Sequence, residues 1–261
     1  ALSYSGEYMD NIGNCKLCDK EDILQNSHII PSSIIKSVKK GDSQLYTLSR
    51  CSSLRYENAD PKEYLLCRSC EQLLNRRYEK YGLELLKKSS NVTKHSNCIE
   101  FKKFKYQKWY LYYLSIIWRA SISSLSDFQQ VNLSNLNDVL KQCIKKNTLR
   151  VSSEIDIDEF IKITMFRVTD KSHRLDELTI RNILMNLTHV PVQESNEHLF
   201  FFMSSGFLVQ FRLTPFYIQL KDKTPFTRTD MARNNQRFVR YLDITESKFL
   251  TKEFNWLIDN V

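Results

Sequence analysis

The sequence predicts an α+β protein: an N-terminal zinc-binding domain, a helical segment, and a C-terminal α+β domain with antiparallel strands. Two Cys-x-x-Cys pairs lie in the first third of the chain. A long apolar run at residues 109–118 has the composition of a buried helix, and alternating apolar and polar residues follow residue 160. The polar stretch at residues 87–99 is the expected boundary, which gives domains at 1–90 and 91–261.

The composition is that of a folded chain with a basic surface. Of 261 residues, 42% are hydrophobic and 12% aromatic, enough to bury a core. Lys and Arg outnumber Asp and Glu by 38 to 30, and the net charge of +8 is compatible with a polyanionic partner. With no secretory signal and no apolar run long enough to cross a bilayer, we expect a cytoplasmic protein with no membrane partner.

The two cysteine pairs predict one structural zinc ion. They are Cys15 with Cys18, and Cys67 with Cys70. Zinc takes four ligands in a tetrahedron, and two cysteines separated by two residues can bind it from one tight turn. The second pair runs directly into a predicted helix, as in treble-clef fingers. In a reducing compartment such pairs favour a metal site over disulfides, and the alternative is four ordinary buried thiols.

The remaining elements follow from periodicity and from turn residues. A short helix at 34–38 is expected to end at Gly41, and a helix over 70–81 to end or break at Gly82. Further helices are expected within about 100–146, and a final helix, capped by Thr251, at about 251–260. Strands are expected within about 160–220, including a hairpin at Ser204–Gly206 and a strand at 216–220.

One histidine lies between the cysteine pairs, in the segment Ser27-His28-Ile29-Ile30-Pro31. Together with the four cysteines, this segment resembles the HNH (ββα-metal) endonuclease family in its four-cysteine, zinc-stapled form. The resemblance covers about residues 13–85. It implies a ββα-metal fold for that part of the chain and hydrolysis of nucleic-acid phosphodiester bonds.

The resemblance also implies roles for particular residues. His28 would be the general base that activates the attacking water, although a lone histidine is more often a satisfied polar residue. Where the family has a metal-ligating side chain before this base, the chain has Ser27. Glu71 and Asn75, four residues apart on one helical face that Glu79 continues, could hold a catalytic Mg²⁺ or Mn²⁺ ion, or could simply face solvent. Asn58 is the nearest counterpart of the family's middle asparagine.

Two basic stretches are candidates for contacts with nucleic acid. Lys102, Lys103 and Lys105 alternate with aromatic residues, as in segments that track phosphates and stack on bases, but they also fit an amphipathic helix with solvated lysines. Arg228, Arg233 and Arg237 suit phosphate contacts, and equally suit a protein partner.

The sequence therefore leaves two functions open. One is a metal-dependent HNH-type endonuclease, a hydrolase that the family context associates with defence against phage or foreign DNA. The other is a catalytically inactive zinc-finger module that binds nucleic acid or a protein partner in a larger complex. Nucleic acid, with DNA as the expected type, is the predicted partner, and a protein partner or a second copy of the chain is the alternative.

Overall fold

The computed structural model describes residues 11–38, 46–48, 60–87, 89–191, 197–214 and 233–260. The α-helices in these ranges are α1 (Ser32–Val38), α2 (Arg68–Leu74), α3 (Lys80–Lys87), α4 (Tyr106–Ile122), α5 (Leu136–Lys146), α6 (Glu177–Arg181) and α7 (Lys248–Asn260). The strands are β1 (Ile12–Asn14), β2 (Glu21–His28), β3 (Tyr46–Leu48), β4 (Lys62–Cys67), β5 (Val92–Lys94), β6 (Cys98–Phe101), β7 (Ile161–Thr169), β8 (Ile183–Pro191), β9 (His198–Ser204), β10 (Phe207–Leu213) and β11 (Phe238–Asp243).

A small antiparallel sheet and the helix that follows it form the cysteine-bearing part of the chain. Its strand order is β1-β2-β4, and β4 leads directly into α2. The β2–β4 pairing places His28 opposite Lys62, with a register shift between Gln25 and Asn26. Strands β2 and β4 with α2 thus have the ββα order that the resemblance implies.

A second sheet of eight strands, in the order β3-β8-β9-β10-β7-β11-β6-β5, forms the larger part. It is mostly antiparallel, with parallel pairing of β11 with β7 and of β3 with β8. The predicted hairpin is confirmed: β9 and β10 pair antiparallel, and Ser205 and Gly206 take positive φ angles in the turn. The α+β class is therefore confirmed.

Helix α4 lies at the centre of the packing, because every residue from Trp109 to Ala120 is buried. One hydrophobic cluster contains residues of the cysteine-bearing part, of α4 and of the large sheet. Strands β5 and β6 occupy the polar stretch in which we expected a domain boundary. The division into 1–90 and 91–261 stays a prediction.

Several local expectations need correction. The final helix begins at Lys248, so Thr251 is not its cap; instead, the Ser247 hydroxyl accepts a hydrogen bond from the Leu250 amide. Gly82 does not end a helix, since α3 continues to Lys87, and the irregularity lies earlier, in a π-helical turn at Asn75–Glu79. Gly41 and the strand expected at 216–220 lie outside the described residues.

Gly82 is required by a close approach between α3 and α4. A Cβ atom at this position would lie 2.4 Å from Cε1 of Tyr112, whose ring is buried. We expect Gly82→Ala to destabilise the protein by about 2 kcal/mol, because overpacking of about 1–3 kcal/mol outweighs the gain of up to about 1 kcal/mol in helix propensity. Urea unfolding measures this change. Gly13→Ala, which meets only the flexible end of Leu24, is the matched control and is expected to cost less than about 1 kcal/mol.

Among the described residues, no helix has the length and apolarity needed to cross a membrane.

Candidate metal centre and active site

The four predicted cysteines lie together. The Sγ atoms of Cys15, Cys18, Cys67 and Cys70 are all within 4.8 Å of one another, and those of Cys18 and Cys67 are 3.9 Å apart. A tetrahedron with Zn–S bonds of about 2.3 Å has S···S edges of about 3.8 Å. The cluster therefore has the size of a metal site, and four thiolates favour zinc over harder ions.

Backbone geometry brings the two cysteine pairs together. The first pair lies in a turn closed by hydrogen bonds from the Asp19 amide to the Cys15 carbonyl (2.8 Å) and from the Cys15 amide to the Lys20 carbonyl (2.9 Å). Asp19 takes a left-handed φ of 64°, which short polar side chains tolerate. The Lys16 amide donates to the Leu65 carbonyl at 2.9 Å, which fastens this turn to β4 and thus to the second pair.

The second pair occupies the start of α2. Cys67 is the N-cap residue and Cys70 lies in the first turn, so backbone N–H groups point towards the sulfurs. Burial would raise the pKa of the Cys67 thiol, but hydrogen bonds from the Ser69 hydroxyl and the Cys70 amide bring it down to about 7. Burial raises the pKa of the Cys15 and Cys70 thiols, so among these three Cys67 is the one whose surroundings favour the thiolate, the form that ligates a metal ion.

His28 lies at the end of β2 and contacts a carboxylate that the sequence did not single out. Its Nε2 is 3.2 Å from Oδ1 of Asp60, two residues before β4, and its side chain is 29% exposed. Burial would raise the pKa of Asp60, but the ammonium of Lys62 at 2.6 Å and the imidazole of His28 lower it overall. Asp60 is therefore held as a carboxylate beside the ring, and the ring keeps access to solvent.

Ser27, which stands where the family has a metal ligand, has a structural role. It is 1% exposed. Its hydroxyl donates to the Gln25 carbonyl and accepts from the Leu66 amide, each at 3.2 Å. These bonds bridge the register shift between β2 and β4, so the side chain points into the protein and away from a solvent-accessible metal site.

Glu71 and Asn75 have different surroundings. Oε1 of Glu71 is buried and accepts no hydrogen bond within the described part of the chain, whereas Asn75 is exposed. A buried carboxylate oxygen without a partner is costly unless a cation or a water molecule satisfies it. Apart from the four cysteines, no group of three or more His, Cys, Asp or Glu side chains within the described ranges is close enough to hold a metal ion. The catalytic Mg²⁺ or Mn²⁺ predicted at Glu71 and Asn75 stays a prediction.

Glu79 leaves the face that Glu71 and Asn75 share, because the π-turn of Asn75–Glu79 changes the helical register. Its carboxylate instead pairs with Arg119 of α4 at 2.9 Å. Arg119 is 1% exposed and also donates to the backbone carbonyl of His28 at 3.0 Å. The end of β2, the π-turn and α4 are therefore joined through one buried guanidinium.

Replacing Arg119 with methionine is expected to destabilise the protein by about 3 kcal/mol or more, because it leaves the Glu79 carboxylate, 12% exposed, without its partner. Chemical denaturation of both single variants and of the Arg119→Met/Glu79→Met double variant measures the coupling. We expect the double variant to be more stable than the sum of the two losses predicts. Strict additivity would contradict the ion-pair assignment.

The basic residues predicted from sequence fall into two groups. Lys102, Lys103 and Lys105 are exposed and form no side-chain ion pair within the described part. The three lysines precede the first turn of α4, and Arg119 lies near the other end of this helix. The lysines and Arg119 are therefore about 20 Å apart along the helix axis. Because helix α4 begins only at Tyr106, the lysines lie in a loop and not on an amphipathic helix.

The predicted arginines are less available. Arg233 is paired with Asp156 at 2.6 Å and with Asp158 at 2.7 Å, and Arg237 lies 3.6 Å from Glu100. These pairings leave the phosphate contact predicted for Arg233 unsupported. Arg228 lies outside the described residues, as does Asn58.

Sequence reasoning missed Asp60, Arg119 and two exposed arginines of the α2 region, Arg68 and Arg76. A signal for Asp60 was present: it precedes β4 by two residues, and antiparallel pairing brings such a residue to the end of the partner strand.

Comparisons of the chain with models of known protein families, with curated proteins and with solved structures found no match.

Proposed function

We propose that this chain is a metal-dependent endonuclease of the HNH type, in which His28 is the general base and a zinc ion on the four cysteines holds the ββα unit together. The observation that carries the proposal is the His28–Asp60 pair. It lies at the end of β2, where His28 pairs with Lys62, in the same small sheet whose other end carries Cys67 opposite Leu24, and the ring is partly open to solvent.

The pair has a direct chemical consequence. Nε2 lies 3.2 Å from Oδ1 of Asp60, a buried oxygen that accepts no hydrogen bond within the described residues, so a small rotation of the ring would let Nε2–H donate to it and would favour the tautomer with its proton on Nε2. Nδ1 then has the free lone pair and accepts the proton of the attacking water. Asp60 stabilises the positive charge that the imidazole ring gains. Arg119 holds the backbone of His28 in place through its hydrogen bond to the His28 carbonyl.

A divalent cation, when bound, would supply Lewis-acid polarisation of the phosphate and stabilisation of the leaving oxygen. The unpartnered Oε1 of Glu71 and the amide of Asn75 are the oxygen donors proposed to hold it, and their chemistry fits Mg²⁺ or Mn²⁺. The carboxylate of Asp60 already interacts with His28 and Lys62, so its role is to position the base.

The electrostatics of the surface supports a polyanionic substrate. Arg68 and Arg76 are exposed in the helical segment that carries Glu71 and Asn75. Lys102, Lys103 and Lys105 are exposed and unpaired in the described part of the chain, about 20 Å from Arg119 along the axis of α4. Exposed cations of this kind suit contacts with phosphates. DNA is the proposed substrate, and defence against foreign DNA is the proposed context.

The experiment is cleavage of end-labelled duplex DNA, single-stranded DNA and RNA by the zinc-loaded protein with Mg²⁺, with Mn²⁺ or with EDTA. We expect cleavage of DNA only with a divalent ion. Binding without cleavage under every condition would refute the enzyme and favour the second candidate, a nucleic-acid-binding zinc module. The inward direction of Ser27 is the observation that favours this candidate.

A further inference from the structure

A cavity of about 810 Å³ lies away from the cysteine cluster, between the end of α3, the β5–β6 hairpin and the segment that joins β7 to α6. Its apolar wall is formed by Leu86, Val92, Ile99, Phe207 and Tyr241. Small-molecule sites in proteins are mostly apolar clefts of about 300–1,000 Å³ with a few polar groups that fix orientation. The cavity has the size and the lining of such a site.

The acidic side chains of the cavity are all engaged by the protein. Asp170 accepts hydrogen bonds from the Ser172 and Leu175 amides, each at 2.9 Å, and Asp176 caps α6 through the Thr179 amide at 2.7 Å. Glu177 pairs with Arg167 at 2.9 Å. All three carboxylates therefore already have partners in the protein, and none is available to bind a cationic ligand.

The basic and hydroxyl groups of the cavity are, in contrast, mostly unengaged. The side chains of Lys94, His173, Arg181 and Tyr241 line it and make no hydrogen bond or ion pair within the described part of the chain. Burial lowers the pKa of Arg167, the carboxylate of Glu177 opposes this, and the charge of the nearby Arg181 lowers it further. Arg167 and Arg181 both line the cavity, and Glu177 pairs with Arg167 alone within the described residues, so the charge of Arg181 is left for an added anion.

A second cavity of about 330 Å³ adjoins the first, since both are lined by Leu86, Arg181 and Phe207. Tyr112, which is 1% exposed, lines this second cavity, and its hydroxyl has no hydrogen-bond partner within the described residues. Burial raises the pKa of Tyr112, so the hydroxyl keeps its proton and remains a donor. An unsatisfied buried hydroxyl is costly, and a ligand acceptor would remove that cost.

We propose that these two adjoining cavities form a binding site for a nucleoside phosphate. The phosphate would lie against Arg181 and Lys94, and the base would lie against the apolar wall that includes Phe207 and Tyr241. A ligand with several acceptor oxygens and a planar, weakly polar ring meets both halves of the lining, because guanidinium groups match phosphate oxygens and aromatic side chains stack on bases.

The test is isothermal titration of the full chain with AMP and ADP, alongside adenosine, inorganic phosphate and decanoate. We expect AMP or ADP to bind one per chain, with adenosine and phosphate each binding at least about tenfold more weakly, because each contacts only half of the site. No binding of AMP or ADP below millimolar concentration would overturn the proposal. Tighter binding of decanoate than of either nucleotide would overturn the ligand class.

Variants assign the binding to this site. Arg181→Gln is expected to raise the Kd for the nucleotide about tenfold, and Tyr112→Phe to raise it severalfold while keeping the buried ring in place. Arg240→Gln is the matched control, since Arg240 is exposed, unpaired in the described part and outside the cavity lining. Equal Kd values for Arg181→Gln and Arg240→Gln, in proteins with the same thermal unfolding, would contradict the assignment.

Discussion

Replacing Cys70 with serine is expected to remove the zinc ion and to unfold the cysteine-bearing part of the chain. The four sulfurs come from two segments, the turn after β1 and the start of α2, which a small three-stranded sheet and part of the hydrophobic cluster also join, and a bound zinc ion would fasten them directly. Because such a site does not exist in the unfolded chain, the free energy of metal binding becomes free energy of folding. A loss of about 5 kcal/mol would lower Tm by about 10–20 °C for a chain of this size.

Metal analysis and thermal unfolding of the purified variant check this expectation. Cys98→Ser is the matched control, because Cys98 is a free cysteine on β6, outside the cluster. We expect one zinc per chain in the wild type and in Cys98→Ser, and much less than one in Cys70→Ser. Wild-type protein with much less than one zinc per chain would overturn the assignment of the four cysteines.

Replacing His28 with alanine is expected to reduce the rate of DNA cleavage by about 10²–10⁴-fold with little change in DNA binding. The reason is that a positioned general base contributes about that factor to the rate, while the proposed phosphate contacts come from other residues. Asp60→Asn is expected to have a smaller effect, about 10–100-fold, since it removes the partner that orients the ring but keeps the ring.

The chain offers a close control for His28. His95 also pairs with a carboxylate, its Nε2 lying 3.2 Å from Oε2 of Glu100, but it lies in the turn between β5 and β6 of the large sheet. Single-turnover cleavage by His95→Ala should match the wild type. If His28→Ala and His95→Ala lose activity equally, His28 is not the base.

The features of the fold that the sequence predicted correctly are those that a short stretch of residues determines. The spacing of Cys15 with Cys18 and of Cys67 with Cys70 located the metal cluster, and turn residues at Ser204–Gly206 located the β9–β10 hairpin. Strand β8 was missed because its first six residues are all buried, so the alternation that marks a half-exposed strand is absent.

The parts of the candidate site that were missed depend on long-range contacts. Asp60 meets His28 only through the pairing of β2 with β4. Arg119 was taken as the polar end of an apolar run, whereas the π-turn brings Glu79 to it and makes its burial tolerable. Arg233 was read as a free cation, and its carboxylate partners lie more than seventy residues away in the chain.

Plasmid nicking tests whether a zinc-held ββα unit uses His28 to hydrolyse DNA. Zinc-loaded wild type and His28→Ala, matched for zinc content and folding, are compared with Mn²⁺ and with EDTA. We expect nicking by the wild type with Mn²⁺ alone and a rate at least about a hundredfold lower for His28→Ala. No nicking by the wild type, or equal nicking by both proteins, would refute the proposed role of His28.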